Sequence, residues 1–315
     1  MRDKLKNIIL PNGFTMFAPD KLDNITTYIF SEQKDWFEDE IKFLRKFFKP
    51  GMNVLDIGTS YGIYTLTMSE LVFPGKVWAF EPDINTAGIL KKSIEYNNLE
   101  NIILEPFAFS GKSGRSVFNL SNFTELNSIT AKPGLHTQKT EIDTLTLDDS
   151  LKKYNWESLD FVKIDAEGEE LNIFRAGKSF LEYYSPLIMF ESQNINYSML
   201  VDELAEIGYE TFQLIPHFDL LVPFNKNLKQ PLLINLFCCK REKISFFENN
   251  GILIRNLKDS LILPVTNNNL WREKLTQLKF SNLLMYSWNT FPGQDSNRIK
   301  YQDILNFYFI SRDKR

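Results

Sequence analysis

Four residues in one stretch of the chain have the spacing of a nucleoside-binding turn. Asp56 ends an apolar run, and Gly58 and Gly62, four positions apart, flank the small-residue turn that follows. A second apolar run ends at Glu81, 23 residues beyond Gly58. Glycine lets the backbone of such a turn approach a ligand, and a carboxylate at the next strand end meets a ribose diol. The pattern therefore predicts a nucleoside site.

The glycine spacing also indicates whether the bound nucleoside carries phosphates. A dinucleotide-binding turn reads G-x-G-x-x-G, and its second glycine admits a pyrophosphate. Here the sequence reads D-x-G-x-x-x-G and lacks that glycine. We therefore expect a nucleoside without phosphates, of which S-adenosylmethionine (SAM) is the common one.

A second group of carboxylates stands at the ends of two later apolar runs. Asp165 ends the run at 159–164, Glu167 follows two residues on, and Glu191 ends the run at 186–191. Carboxylates gathered beside a cofactor raise one another's pKa, which favours a proton-accepting role for one of them. Methyl transfer to a hydroxyl needs such a base as well as alignment of the reacting atoms. We predict Asp165 and Glu167 as the catalytic residues.

Other roles are open for the same region. Asp56 and Asp165 each precede a helix, where an acidic side chain caps the first turn or meets the helix dipole. His136, in a polar stretch, is a second candidate base. The oxygen atoms of Asp165, Glu191 and Gln193 would also suit magnesium, but we predict no metal.

At these motifs the chain resembles a known family. The letters DIGTSYG at 56–62 are similar to motif I of the Rossmann-like methyltransferases, and Phe80-Glu81-Pro82 is similar to their ribose-binding strand end. The stretch LDFVKIDAEGEEL at 159–171 resembles the signature of the FkbM family, whose hallmark is a strand ending K-I-D-x-E-G. The resemblance covers about residues 8–242.

The resemblance implies a SAM-dependent methyltransferase that acts on oxygen, on a sugar, a polyketide or another natural-product hydroxyl. N-methylation of a peptide side-chain amide is the alternative within this class. A nicotinamide oxidoreductase and a non-catalytic nucleoside-binding module are the alternatives outside it. The residues predicted to bind SAM are Asp56, Gly58, Thr59, Ser60, Tyr61, Gly62, Glu81, Pro82, Phe107, Ala108 and Asp165.

Strands and helices that alternate along the chain must position these residues. Apolar runs predict seven strands, at about 53–57, 76–81, 102–108, 159–164, 186–191, 209–215 and 234–241. This order predicts an α/β fold, a Rossmann-like doubly wound and mostly parallel sheet with helices on both faces. The resemblance further implies that an antiparallel last strand lies between two others.

Three regions are predicted along the chain. Residues 1–50 form an N-terminal lead-in with a helix at 24–48, and residues 51–242 form the methyltransferase domain. Residues 243–315 form a helical C-terminal extension that packs on the flank, covers the acceptor site or makes a homodimer interface. Residues 109–141 are irregular, and Arg115–Leu120 alternates enough to predict a short strand. The polar stretch 121–139 predicts a long loop over the strand ends, a candidate substrate loop.

Composition limits the partners and the compartment. The net charge is −4 and no basic patch stands out, so nucleic acid is not expected. The only two cysteines are adjacent, which suits a reducing compartment. No apolar run approaches the roughly 18 residues that span a bilayer. We therefore predict a cytoplasmic enzyme that acts on a small-molecule or peptide acceptor.

Overall fold

The computed structural model describes residues 4–121, 124–130, 136–192, 197–216, 218–226 and 234–255. The strands are β1 (Leu5–Ile9), β2 (Thr15–Pro19), β3 (Val54–Ile57), β4 (Val77–Phe80), β5 (Ile102–Glu105), β6 (Ala108–Phe109), β7 (Gly114–Ser121), β8 (His136–Leu145), β9 (Phe161–Ile164), β10 (Leu187–Glu191), β11 (Tyr209–Ile215), β12 (Leu220–Pro223) and β13 (Asn235–Lys240). The helices are α1 (Ile25–Gln33), α2 (Asp39–Phe47), α3 (Ile63–Val72), α4 (Ile84–Tyr96), α5 (Leu147–Tyr154), α6 (Glu170–Arg175), α7 (Lys178–Tyr184), α8 (Tyr197–Glu206) and α9 (Arg241–Asn249).

The main sheet is mostly parallel and has eight strands, in the order β12-β11-β13-β10-β9-β3-β4-β5. Strand β13 runs antiparallel between β10 and β11, as the resemblance implied. The predicted count of seven was one short, because β12 adds an edge strand antiparallel to β11. Its four residues form too short an apolar run to be distinguished from a loop by pattern alone.

Helices cover both faces of the sheet. Alternate residues of its central strands point to opposite faces and pack in two separate hydrophobic cores. Val54 and Phe161 belong to the core shared with α2, α3 and α4, whereas Leu55 and Val162 belong to the core shared with α5 to α8. This division follows from the two-residue period of a strand. The doubly wound α/β fold is therefore confirmed.

Two predicted elements were wrong. The single helix at 24–48 is two helices, because Lys34 adopts a left-handed conformation (φ 60°) that ends α1 before α2 begins. The short strand predicted at 115–120 is confirmed as part of β7, but the long loop predicted at 121–139 is too long, because β8 begins at His136. Strand β8 pairs with β7 and β6 in a three-stranded sheet. Its residues 136–141 are polar, so they lack the apolar alternation that predicts a strand.

The segment after β9 forms two short helices rather than one, because α6 ends before Ala176 and α7 begins after Gly177. Helix α9 crosses the predicted domain boundary at 242/243, and its Ile244 and Phe247 are buried in the first core. The chain divides after Arg255, and residues 256–315 lie outside the described part, as does the predicted dimer interface there.

Cys238 and Cys239 are free and buried in β13. Within the described residues, no helix is both long enough and apolar enough to cross a bilayer.

Candidate active site

A cavity of about 330 Å³ opens at the carboxyl ends of the central strands. Its walls come from the segments that follow β3, β4 and β9, from the end of β10, from residues 125–129, and from the connection between α1 and α2. Parallel strands deliver their carboxyl ends to one edge of the sheet, which is where ligands of such folds bind. Residues far apart in sequence therefore meet in one cavity.

The turn after β3 forms the floor of the cavity. Gly58 and Gly62 both have left-handed backbones, with φ of 77° and 91°. The side-chain hydroxyls of Thr59 and Ser60 are buried and have no hydrogen-bond partner among the described residues. Because buried polar groups are almost always paired, these two hydroxyls indicate that a polar ligand binds here.

Glu81 is the carboxylate that was predicted to bind the ribose hydroxyls. It follows β4, is buried, and lines the cavity. Its two oxygens accept hydrogen bonds from the backbone N–H groups of Ser60 (2.9 Å) and Asp83 (3.0 Å). Burial raises the pKa of Glu81 to about 7. The two backbone donors hold the carboxylate in place, and its remaining lone pairs fit the two hydroxyls of a ribose.

Asp56 lies behind the turn rather than in the cavity. The register of β3 and β9 places it level with Lys163. Its carboxylate accepts a hydrogen bond from Thr65 of α3 (2.5 Å) and lies 3.7 Å from the Lys163 ammonium. Its side chain is 0% exposed, and burial raises its pKa. We therefore revise its predicted role from cofactor contact to support of the turn.

Lys163 connects the ends of β3 and β9. Its ammonium lies 3.0 Å from the Asp165 carboxylate and donates to the Gly58 carbonyl at 3.4 Å. Burial alone would lower the pKa of Lys163, but the carboxylates of Asp165 and Asp56 raise it above its usual value. The lysine is therefore a buried cation that holds the two strand ends together.

The carboxylates of Asp165, Glu167 and Glu191 converge in the cavity at the ends of β9 and β10. Their oxygens lie within 4.8 Å of one another. Glu167 has a left-handed backbone (φ 52°), a strained conformation for a residue with a side chain that is often found at functional sites. The turn is held by Glu170, which accepts hydrogen bonds from the N–H groups of Ala166 (2.9 Å) and Gly168 (3.1 Å).

The methyltransferase FkbM domain family matches residues 56–211, which include the β3 turn, Glu81 and the converging carboxylates. The chain carries an FkbM methyltransferase domain. It is accordingly a SAM-dependent methyltransferase, which sets aside the nicotinamide oxidoreductase and the non-catalytic nucleoside-binding module.

Several known proteins are similar to this methyltransferase. The 2-O-methyltransferase NoeI of Sinorhizobium fredii (strain NBRC 101917 / NGR234) is 24% identical over 208 residues, which are 59% of this chain and 80% of NoeI. Methyltransferase FkbM from Methylobacillus flagellatus KT is 16% identical, with a TM-score of 0.41 over 61% of this chain and 44% of that chain. SMU.1697c from Streptococcus mutans, whose structure is a complex with SAH, is 11% identical, with a TM-score of 0.38 over 64% of this chain and 95% of that chain.

Most of the predicted site residues of the FkbM domain line the cavity, but four do not. The lining includes Gly58, Thr59, Ser60, Glu81, Pro82, Ala108, Asp165 and Glu167. Among the described residues, Asp56, Tyr61, Gly62 and Phe107 lie outside that lining. Tyr61 and Phe107 are buried core residues, so these four support the site from behind.

His136 begins β8 opposite Ser121, and its side chain lies outside the described part. Gln193 and the magnesium hypothesis that used it lie outside it as well.

The N-terminal region also contributes to this site, which no motif in the sequence predicted. Trp36, Phe37 and Glu38, between α1 and α2, line the cavity together with Asn235 of β13. Burial raises the pKa of Glu38, and the nearby Asp165 raises it further. The acidic residues at 35–39 were the only signal in the sequence, and exposed helix ends commonly carry such residues.

Residues 125–129, within the predicted substrate loop, form another wall of the cavity. Glu125 accepts hydrogen bonds from the Asn24 amide (2.6 Å) and the Thr26 N–H (3.1 Å). Glu169, at the start of α6, accepts a hydrogen bond from the Thr130 hydroxyl (2.8 Å). These bonds tie the segment to both the N-terminal region and the β9 side of the cavity.

Proposed function

We propose that this protein transfers the methyl group of SAM to the oxygen of a hydroxyl on a small-molecule acceptor, such as a sugar, a polyketide or another natural product. The convergence of the carboxylates of Asp165, Glu167 and Glu191 beside the β3 turn carries this proposal. A hydroxyl must lose its proton when it is methylated, and a carboxylate in reach can accept it. The name of NoeI, a 2-O-methyltransferase, supports the same reaction class.

The residues of the cavity fit SAM in two parts. Glu81 would accept hydrogen bonds from the ribose hydroxyls, because it is a buried carboxylate already oriented by two backbone donors. The buried hydroxyls of Thr59 and Ser60 would bind polar atoms of the methionine part, next to Asp165. When bound, SAM supplies an electrophilic methyl group on a sulfonium.

In this proposal the protein itself orients the acceptor and receives its proton. Asp165 and Glu167 leave the end of β9 and face the cavity, so either carboxylate is placed to accept the proton of an acceptor hydroxyl. Alignment of the reacting atoms at near contact supplies the rest of the acceleration. The ion pair with Lys163 keeps Asp165 in a defined orientation.

The test is methyl transfer from methyl-labelled SAM to hydroxyl and amide probes in parallel. The probes are p-nitrophenyl glycosides and a short asparagine-containing peptide, and mass spectrometry of the products assigns the methylated atom. We expect methyl ethers of the glycosides or of another hydroxyl probe. Methylation of the peptide amide nitrogen, with every hydroxyl probe unmodified, would replace the proposal with the N-methyltransferase alternative.

A further inference from the structure

We propose that Trp36, Phe37 and Glu38, with Asn235, form the acceptor subsite, and that this subsite takes an uncharged, polyhydroxylated ring, that is, a sugar. The inference rests on the proposed function, because it names the acceptor of the same cavity. It adds residues from the N-terminal region and from β13 to a site otherwise built at the ends of β3, β4, β9 and β10.

Glu38 is a cavity carboxylate with a fixed orientation. One of its oxygens accepts hydrogen bonds from the Tyr64 hydroxyl (2.5 Å) and from the Asn235 amide (3.2 Å). Both donors are more than nine-tenths buried, with 6% and 3% of their surface exposed. Two buried donors from α3 and β13 therefore hold a side chain that comes from the start of α2. A carboxylate accepts about four hydrogen bonds, so these two leave capacity for the hydroxyls of a ligand.

Phe37 gives the subsite an apolar face. Its side chain is 40% exposed although it is aromatic, and it lines the cavity. It packs on Trp36 with ring centroids 4.9 Å apart, and Trp36 in turn stacks on Phe30 at 6.2 Å. A supported aromatic ring beside a few oriented polar groups is typical of small-molecule sites. The C–H face of a sugar ring offers the flat apolar surface that such an aromatic ring contacts.

The charge of the described cavity lining opposes the binding of an anionic acceptor. Its described lining contains seven carboxylates, those of Glu38, Glu81, Glu125, Asp165, Glu167, Glu169 and Glu191, but one basic side chain, that of Lys163. Lys163 is already paired with Asp165 and Asp56. A phosphate or carboxylate on the acceptor would meet like charges, which cost several kcal/mol when juxtaposed. Hydroxyl groups, by contrast, donate to carboxylates, and a sugar presents several in a small area.

The strand order separates this subsite from the ribose end. Asn235 belongs to β13, and Glu81 follows β4, four positions away in the sheet order. At about 4.8 Å per strand, these two positions lie roughly 19 Å apart across the sheet. SAM and an acceptor can therefore occupy opposite ends of the cavity, with Asp165 and Glu167 of the β9 end between them.

The experiment compares two matched probes on the full chain saturated with S-adenosylhomocysteine (SAH). Ligand-observed NMR measures binding of p-nitrophenyl β-D-glucopyranoside and of p-nitrophenyl β-D-glucuronide, which differ by one carboxylate. We expect the glucoside to bind at least about tenfold more tightly. Binding is the readout because it does not require that the probe present the correct hydroxyl for methylation.

Two variants locate the binding. Glu38→Gln and Phe37→Ala should each weaken glucoside binding about tenfold or more while leaving SAH affinity within about threefold. Phe37 is exposed, so its variant keeps the test valid if Glu38→Gln is unstable. Asp39→Asn is the matched control, because Asp39 is the next residue, is partly exposed, pairs with Lys42 and is outside the described cavity lining.

The inference is overturned if the glucuronide binds as well as the glucoside, if neither glycoside binds, or if both variants bind like the wild type. Those results leave O-methylation of another hydroxyl intact. Failure of the proposed function has a different signature, namely methyl transfer to amide nitrogen with every hydroxyl probe unmodified.

Discussion

An ideal Cβ placed on Gly58 would lie 1.8 Å from the carbonyl oxygen of Asp165. The turn after β3 and the end of β9 therefore touch through their backbones. From the sequence, this glycine was predicted to let a ligand approach, but the protein's own backbone already excludes a side chain at this position. We expect Gly58→Ala to destabilise the protein severely, because both the clash and the left-handed φ oppose alanine. Chemical denaturation measures the effect.

Gly88→Ala is the matched control. Gly88 lies inside α4, and a Cβ there would meet nothing within 4 Å. Alanine in a helix interior is favoured over glycine by roughly 0.5–1 kcal/mol. That variant should be slightly more stable than the wild type. A Gly58→Ala protein with normal stability would contradict the backbone contact.

Glu81→Ala should weaken SAM and SAH binding by on the order of 10²-fold or more. Two charge-assisted hydrogen bonds to the ribose are lost, each worth roughly 1.5–3 kcal/mol. Isothermal titration calorimetry gives the affinity. Glu105→Gln is the control, because Glu105 ends the neighbouring strand β5 but is outside the described cavity lining. Unchanged affinity of the Glu81 variant for SAM and SAH would show that Glu81 does not bind the cofactor.

Cofactor affinity should rise with pH up to about 7 and then level off. Burial raises the pKa of Glu81 to about 7 in the free protein. Ribose hydroxyls donate to the ionised carboxylate and so lower its pKa, which means that binding below pH 7 releases a proton and becomes tighter as pH rises. Calorimetry with SAH from pH 5.5 to 8 tests this.

In Glu81→Gln this rise with pH should disappear. Glu40→Gln should keep it, because Glu40 also has a pKa of about 7 but is outside the described cavity lining. If the affinity of Glu81→Gln for SAH still rose with pH, the proton released on binding would come from another group.

Lys163→Met should destabilise the protein by about 3–5 kcal/mol, because Asp56 would remain as a buried, unpaired charge. Asp56 is 0% exposed and lies 3.7 Å from the lysine. Urea unfolding measures the change. Lys178→Met, which removes a surface lysine paired with Glu203, should cost no more than about 1 kcal/mol. Equal stability of the two variants would show that the buried ion pair is dispensable.

Glu167→Gln should slow single-turnover methyl transfer by roughly 10²–10⁴-fold if this carboxylate accepts the proton. Glutamine keeps the size of the side chain but does not take up a proton at neutral pH. SAH affinity should change little, whereas Asp165→Asn should affect both quantities, because Asp165 is paired with Lys163 beside the turn. Glu157→Gln, at an exposed position, is the control. Near-normal methyl transfer by both the Glu167 and the Asp165 variant would indicate that another residue, Glu38 or His136, accepts the proton.

Local sequence patterns were sufficient to predict the alternation of strands and helices. They also predicted the edge of the sheet at which the candidate site residues meet. Parallel strands bring their carboxyl ends to one edge of a sheet, so Asp165, Glu167 and Glu191 had to converge once the strands were recognised. The same reasoning placed Glu81 at the cavity. It did not show that Asp56 faces α3 instead of the ligand, because that depends on the register with Lys163 and on the position of Thr65.

What the tertiary structure alone decided are the contacts between distant parts of the chain. Glu38 and Asn235 are 197 residues apart and share a hydrogen bond. No local period encodes such a pair, because it forms only when α2 packs across the sheet and β13 inserts antiparallel between β10 and β11. Strand β8 was missed for a related reason, since its polar residues 136–141 form a strand through their pairing with β7, which no local pattern encodes. The sequence by itself thus determined the fold class and the position of Glu81, Asp165 and Glu167 at one edge of the sheet, whereas long-range packing decided which other residues line the cavity.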